Sequence, residues 1–294
     1  MECFGVFMVC NICPKKCGVD RKKKFGACGV SENLTVSKIM VHFWEEPPIS
    51  GSRGSGAVFF TGCNLRCVFC QNHRISRAAA GMEISPDELC DIFFQLKADG
   101  VHNINLVSPA HYSGQISRAI MLSRQKGFDL PFVYNTNGYE SVETLRTLEG
   151  VIDVYLPDIK YSSSEAAFKY SGVKDYFEKA TLAVMEMSRQ VGTHIFNDEG
   201  IMVRGLMIRH LVLPGLRKDS MKILDWIAAN LPDSYVSIMS QYIPVNKASE
   251  FKEINRRITT FEYTSVVNHF QKLGLTNGFF QEVSSASKEF VPEF

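Results

Sequence analysis

Apolar positions in this chain follow two periods that take turns along its length. Compact runs rich in β-branched, aromatic and aliphatic residues occur at 57–61, 103–108, 132–136, 151–156, 203–213 and 235–241. Their length and composition predict six buried strands. Between them, apolar residues return at helical spacing. The clearest case opens at Ser85-Pro86-Asp87-Glu88, which joins an N-cap serine, a proline at the first helical position and a glutamate closing a capping box. Leu89, Ile92, Phe93 and Leu96 then recur on one face and Gly100 ends the run. Further helices are predicted over 114–126, 141–149, 175–191, 219–230 and 253–273. Strands separated by helices imply right-handed βαβ crossovers and a parallel sheet, so an α/β barrel, open or closed, is the expected fold. Residues 1–50 are rich in Cys, Lys and Pro, show no sustained period and end in the turn-like WEEPPISGSRGSG. They read as an N-terminal Cys-rich extension, with the barrel over 51–294.

Polar residues gather where each run ends. Cys63, Cys67 and Cys70 follow the first, Ser108 and His111 the second, Asn135 and Asn137 the third, Asp158 and Lys160 the fourth. His210 and Gly215 close the fifth, Gln241 and Tyr242 the sixth. In α/β barrels that rim carries the site, because loops converge there on a rigid frame. The pattern therefore predicts a catalytic barrel.

Composition narrows the class. With 294 residues, 45% hydrophobic and 21% charged, the chain can bury a sizeable core, which excludes disordered and collagen-like classes. Net charge is only +1, yet the first thirty residues hold Lys15, Lys16, Arg21, Lys22, Lys23 and Lys24 against Glu2 and Asp20. Such a stretch can grip phosphates; a solvated loop is the preferred reading, so no nucleic-acid partner is expected. No apolar run reaches eighteen residues, and the start lacks a basic region and cleavage site, so no membrane association and a cytoplasmic location are expected.

Nine cysteines in a cytosolic chain argue for metal rather than disulfides, and seven of them lie in two tight groups. Cys63, Cys67 and Cys70 have C-x3-C-x2-C spacing, for which the chance expectation is roughly 0.01 occurrences in a chain of this composition. A structural zinc site asks for four protein ligands, whereas three thiolates with no fourth nearby suit an iron–sulfur cluster with one open iron; a zinc loop is the alternative. Cys10, Cys13, Cys17 and Cys28 form the second group, with spacing fit for zinc, a second cluster or free thiols. Cys90 reads as a small core residue, and Cys3 has no assigned role.

The loop GCNLRCVFCQN, with Phe69 before its last cysteine and placed after the first barrel strand, resembles the signature loop of the radical S-adenosylmethionine (SAM) superfamily. TNG at 136–138, LPDIK at 156–160 and LVLPG at 211–215 look like the pyruvate formate-lyase activating enzyme branch. CNICPKKCGVDR, FGACG and WEEPPISG resemble the PflX-like relatives of that branch. The resemblance implies a partial (β/α)6 TIM-type barrel in which Cys63, Cys67 and Cys70 hold a [4Fe-4S] cluster. SAM would bind the fourth iron and be cleaved reductively to a 5′-deoxyadenosyl radical that takes hydrogen from a substrate. An electron donor such as flavodoxin or ferredoxin, and a protein or peptide substrate, including a glycyl radical enzyme, are the implied partners. RNA or a small molecule as substrate, and a non-catalytic iron–sulfur or zinc protein, are the competing readings.

The same resemblance places Phe69, Ser108, Pro109, Ala110, His111, Asn135, Asn137, Asp158, Lys160 and Arg209 around SAM. Ser108-Pro109-Ala110-His111 stands where the family carries a Gly-Gly-Glu type motif for the SAM amino group. Pro109 has no N–H and His111 is not acidic, so carbonyls or the Ser108 hydroxyl would take over. Asn135 replaces an aspartate, which puts an accompanying cation in doubt. Asp158 and Lys160 share one strand face, and the Arg209 guanidinium suits the SAM carboxylate.

Overall fold

The computed structural model describes residues 9–77 and 81–281; Cys3 lies outside them. In chain order the strands are β1 (Thr35–His42), β2 (Ser55–Phe60), β3 (Met82–Glu83), β4 (Ile104–Val107), β5 (Phe132–Thr136), β6 (Val154–Pro157), β7 (Ile195–Phe196), β8 (Met202–Leu211), β9 (Tyr235–Met239) and β10 (Gly278–Phe280). The helices are α1 (Pro47–Ser50), α2 (His73–Arg77), α3 (Pro86–Ala98), α4 (Ser113–Gln125), α5 (Val142–Arg146), α6 (Ser164–Ser171), α7 (Tyr176–Val191), α8 (Arg217–Asn230) and α9 (Thr260–Lys272). One sheet runs in the order β10-β9-β8-β6-β5-β4-β2-β1-β3, with β7 attached to β8. From β2 to β10 every neighbour along that path is parallel, while β1 lies antiparallel to β2 and β3 to β1.

Each of the six apolar runs contains a strand of this parallel core. Strands β2, β4, β5 and β6 are buried at every position, as strands covered on both faces must be. Among the described residues the sheet does not close: β3 and β10 are its two ends. This is the open, mostly parallel α/β sheet of a partial barrel.

Helix α3 begins as its sequence predicts, with the Ser85–Glu88 capping box formed in both directions. The helix expected over 253–273 is shorter, because Thr259 and Glu262 make a second capping box that starts α9 at Thr260; a 3-10 turn at Ala248–Glu250 precedes it.

The first fifty residues differ most from their sequence reading. They hold β1, which pairs with β2 from Val36 to His42, and α1. Cys28, Val30, Leu34 and Val36 join the main apolar core. Strand β1 escaped notice because TVSKIMVH alternates only loosely, and half-buried Lys38 sits in mid-strand. Among the described residues no helix is long and apolar enough to cross a membrane.

Candidate active site

The strand ends do converge. A cavity of about 230 Å³ opens at the C-terminal rim of the parallel strands, and its walls include Cys63, Cys67, Cys70, Phe69, Ser108, Asn135, Asn137, Asp158, Lys160 and Arg209. Ten of the thirteen residues the sequence placed at the cluster and SAM therefore share one chamber. Pro109, Ala110 and His111 do not line it. His111 is buried, with Nε2 2.7 Å from the Thr61 carbonyl. Burial lowers its pKa to about 4 against that bond, so the ring is neutral. Its carbonyl accepts a bond from Arg21 Nη1 at 2.5 Å. The ring is thus turned toward the end of β2 rather than into the chamber.

The three thiols are all free. Each has a polar neighbour beside the sulfur. Leu65 N–H donates to Cys63 Sγ at 3.4 Å and Asn137 Nδ2 does so at 3.3 Å. Ser171 Oγ lies 3.0 Å from Cys67 Sγ and is itself 2.8 Å from Tyr161 Oη, while Ser76 Oγ lies 3.7 Å from Cys70 Sγ. Burial, reinforced by Cys67 and Cys70, pushes the Cys63 thiol up to about 12; burial pushes Cys70 up to about 11. As free thiols both keep their protons at neutral pH, and binding iron displaces them. Phe69 packs edge-on against Tyr161 and Tyr242, which fixes the loop between the second and third thiol.

The same cavity is lined by a network of largely buried charges. Arg209, on β8, sends Nε to Asp158 Oδ1 at 3.1 Å, Nη1 to Glu45 Oε2 at 2.9 Å and Nη2 to Asn135 Oδ1 at 2.5 Å. Asn135 and Asn105 each donate to Glu45 Oε1, at 3.0 and 2.9 Å. Lys160 Nζ reaches Asp158 Oδ2 at 2.5 Å. Burial alone would raise the Asp158 carboxyl, but Lys160 and Arg209 outweigh it and hold the group below the usual carboxylate range. Asp158 and Lys160 do share one face of the chain, as their spacing predicts. Three of the five Arg209 N–H groups are engaged within the network, so its remaining donors face whatever enters.

Sequence reasoning missed Glu45, Asn105 and Ser171. Glu45 is the largest omission, since its carboxylate joins three partners. Its signal was present in WEEPPISG, where two adjacent acids precede a Pro-Pro pair, but that stretch read as a turn.

Among the described residues, no three His, Cys, Asp or Glu side chains converge closely enough for a single metal ion. The triad is no exception. The donor set fits an iron–sulfur cluster: three free thiols on one wall, with N–H or O–H groups at their sulfurs and the ammonium of Lys160 close enough to act on Cys70.

An open parallel barrel with a three-thiol loop after its first parallel strand defines an iron–sulfur enzyme class. Residues 57–227 match the family model of the Radical SAM superfamily, and the chain belongs to that superfamily. Over 281 residues it is 32% identical to the uncharacterized protein MJ0674 of Methanocaldococcus jannaschii, covering 92% of this chain and 77% of that one. A second protein of that organism, uncharacterized protein MJ0808, is 24% identical over 194 residues, 60% of this chain and 53% of the other. The fold resembles that of Streptococcus suis SuiB bound to precursor peptide SuiA, with a TM-score of 0.52 and 14% identity over 77% of this chain; the chain spans only 48% of SuiB.

Proposed function

We propose that the chamber holds a [4Fe-4S] cluster on Cys63, Cys67 and Cys70 with SAM beside it, and that the enzyme takes hydrogen from a residue of a protein or peptide. When bound, the reduced cluster with SAM supplies a 5′-deoxyadenosyl radical. The observation that carries this reading is that three free thiols and the Asp158–Lys160–Arg209–Asn135–Glu45 network line one cavity.

The residues of the chain do the positioning. Asn137 and Ser171 orient the thiols of Cys63 and Cys67. Lys160 and Arg209 offer fixed cationic donors to a carboxylate such as that of SAM, and Asp158 and Glu45 keep both cations from swinging away. Ser108, at the end of β4, offers a hydroxyl to the SAM amino group. Phe59, Phe60 and Leu65 give the chamber an apolar side that excludes water from a reactive radical.

A macromolecular substrate is favoured by the open sheet, whose unpaired ends leave a lateral way in, whereas a small metabolite is better served by a closed pocket. The peptide bound by SuiB, a protein of similar fold, is consistent with this choice. The finer role is that of an activase that leaves a glycyl radical on a partner enzyme, supplied with electrons by a flavodoxin or ferredoxin.

The test is anaerobic reconstitution followed by SAM and dithionite, with 5′-deoxyadenosine read by mass spectrometry. Release of 5′-deoxyadenosine and methionine is expected. A reconstituted protein that binds no SAM would leave an electron carrier as the function. An activase leaves an organic radical visible by electron paramagnetic resonance on its partner; a peptide modifier leaves a closed-shell product of altered mass. Saturable turnover of a metabolite with neither present would overturn the substrate class.

A further inference from the structure

The second group of four cysteines stands outside the chamber. Cys10, Cys13, Cys17 and Cys28 are free thiols, two of them buried and two half-buried. The chain folds them together. Cys10 N–H donates to the Val19 carbonyl at 3.0 Å and Gly18 N–H to the Cys10 carbonyl at 3.1 Å, which lays the Cys10 and Cys17 segments side by side. The turn from Cys13 to Lys16 closes with a 3.0 Å backbone bond, and Lys16 and Gly18 take positive φ of 39° and 65°. The thiols of Cys10 and Cys28 both lie within electrostatic reach of Cys13.

One local device recurs at these sulfurs. The backbone N–H two residues after the cysteine donates to the thiol in Cys13 (from Lys15), Cys17 (from Val19) and Cys28 (from Val30). The radical loop uses the same device, with Leu65 N–H on Cys63 and Asn72 N–H on Cys70. Neutral thiols are weak acceptors and need no such donors, whereas thiolates on a metal are oriented and stabilised by them. A segment with so few apolar side chains also needs another source of order, and a bound metal provides one.

We propose that Cys10, Cys13, Cys17 and Cys28 bind a second metal centre, an iron–sulfur cluster rather than a single ion, which braces the radical loop; no three of these thiols converge as one zinc ion would require. The brace is short. The Cys28 carbonyl accepts the Cys63 N–H at 3.1 Å, so a ligand of one centre is hydrogen-bonded to a ligand of the other. Gly62, at φ 90°, allows this approach: a Cβ there would meet the Cys28 oxygen at 2.9 Å. Arg21, between Cys17 and Cys28, ties the same unit to the His111 carbonyl, and Ile12 accepts a bond from Thr144 Oγ1 at 2.7 Å. The metal centre stands without the proposed function; only the brace rests on Cys63 as a cluster ligand.

Metal and acid-labile sulfide are measured in the Cys63→Ala, Cys67→Ala, Cys70→Ala triple variant. About four irons with sulfide support the centre; zinc without sulfide, or neither metal, overturns it. Should that variant not fold, the reconstituted wild type answers the same question, since iron and sulfide beyond those of the radical cluster are expected and their absence overturns the proposal. The brace is read separately in Cys17→Ser, whose thiol is half-exposed. Chelator should bleach the radical cluster several-fold faster than in wild type. An unchanged rate would overturn the brace and leave the metal centre standing, while failure of SAM cleavage alone would touch neither metal count.

Discussion

Arg209 Nη1 donates to Glu45 Oε2 at 2.9 Å across 164 residues of chain. Glu45 belongs to the strap between β1 and α1, and Arg209 to β8, so this ion pair reaches across the mouth of the barrel from one side of the sheet to the other. Both side chains are largely buried, at 13% and 11% exposure, so loss of the guanidinium leaves Glu45 with amide donors from Asn105 and Asn135 but no charged partner.

Removing the guanidinium by Arg209→Met is expected to lower stability by about 1–3 kcal/mol, because Glu45 loses its charged partner while Asp158 keeps Lys160. Arg209→Lys should recover part of that stability but not SAM affinity, since an ammonium cannot make the three-way fork. Urea titration together with equilibrium binding of SAM separates the two effects; equal SAM affinity in Arg209→Lys would remove Arg209 from the SAM site.

Cys63→Ala, Cys67→Ala and Cys70→Ala should each abolish SAM cleavage, because each thiolate holds one iron and two cannot secure the cluster. Release of 5′-deoxyadenosine is the readout. Cleavage retained in any one of them would dismantle the proposed chemistry.

Glu140 provides a pH test. Burial pushes its carboxyl up to about 7 from 4.5, against a bond donated by Thr136 Oγ1. The folded protein thus holds this proton more tightly than the unfolded chain, so stability from this group is present below about 4.5 and is lost as pH rises through 7. Glu140→Gln removes that loss. Its stability relative to wild type should rise between pH 5 and pH 8 by up to about 3 kcal/mol, since a tenfold difference in proton affinity between the folded and unfolded chain is worth about 1.4 kcal/mol. A pH-independent difference in urea midpoints would show that Glu140 does not titrate in this range.

Ser108 holds a left-handed backbone, with φ 59°, at the end of β4 while its N–H donates to the Asn135 carbonyl at 2.9 Å. Strain at such a position costs a non-glycine residue of order 1 kcal/mol, and it recurs at functional sites. Ser108→Gly should raise the urea midpoint slightly and weaken SAM binding through loss of the hydroxyl. Unchanged SAM affinity would leave Ser108 as a turn residue only.

The sequence made the cysteine triad legible because local spacing alone keeps three thiols in eight residues near one another, whatever the rest of the chain does. Asp158 and Lys160 were legible for a similar reason, since alternation on a strand puts them on one face. His111 was not. Its position after β4 pointed to the rim, but a 3-10 turn at Ala110–Tyr112 swings the ring onto the Thr61 carbonyl. Strand β1 was hidden by a loose alternation that tertiary pairing with β2 overrides.

Periodicity, capping and ligand spacing are properties of neighbours in the chain, so the sequence by itself determined the six core strands, the start of α3 and the three-thiol loop. The partners of Arg209 are not neighbours. Glu45, Asn135 and Asp158 come from three separate elements, and only the parallel order of β4, β5, β6 and β8, with the strap after β1 folded over their ends, brings their charges within hydrogen-bond reach. The tertiary structure decided that network because burying its charges is tolerable only when all of them meet at once.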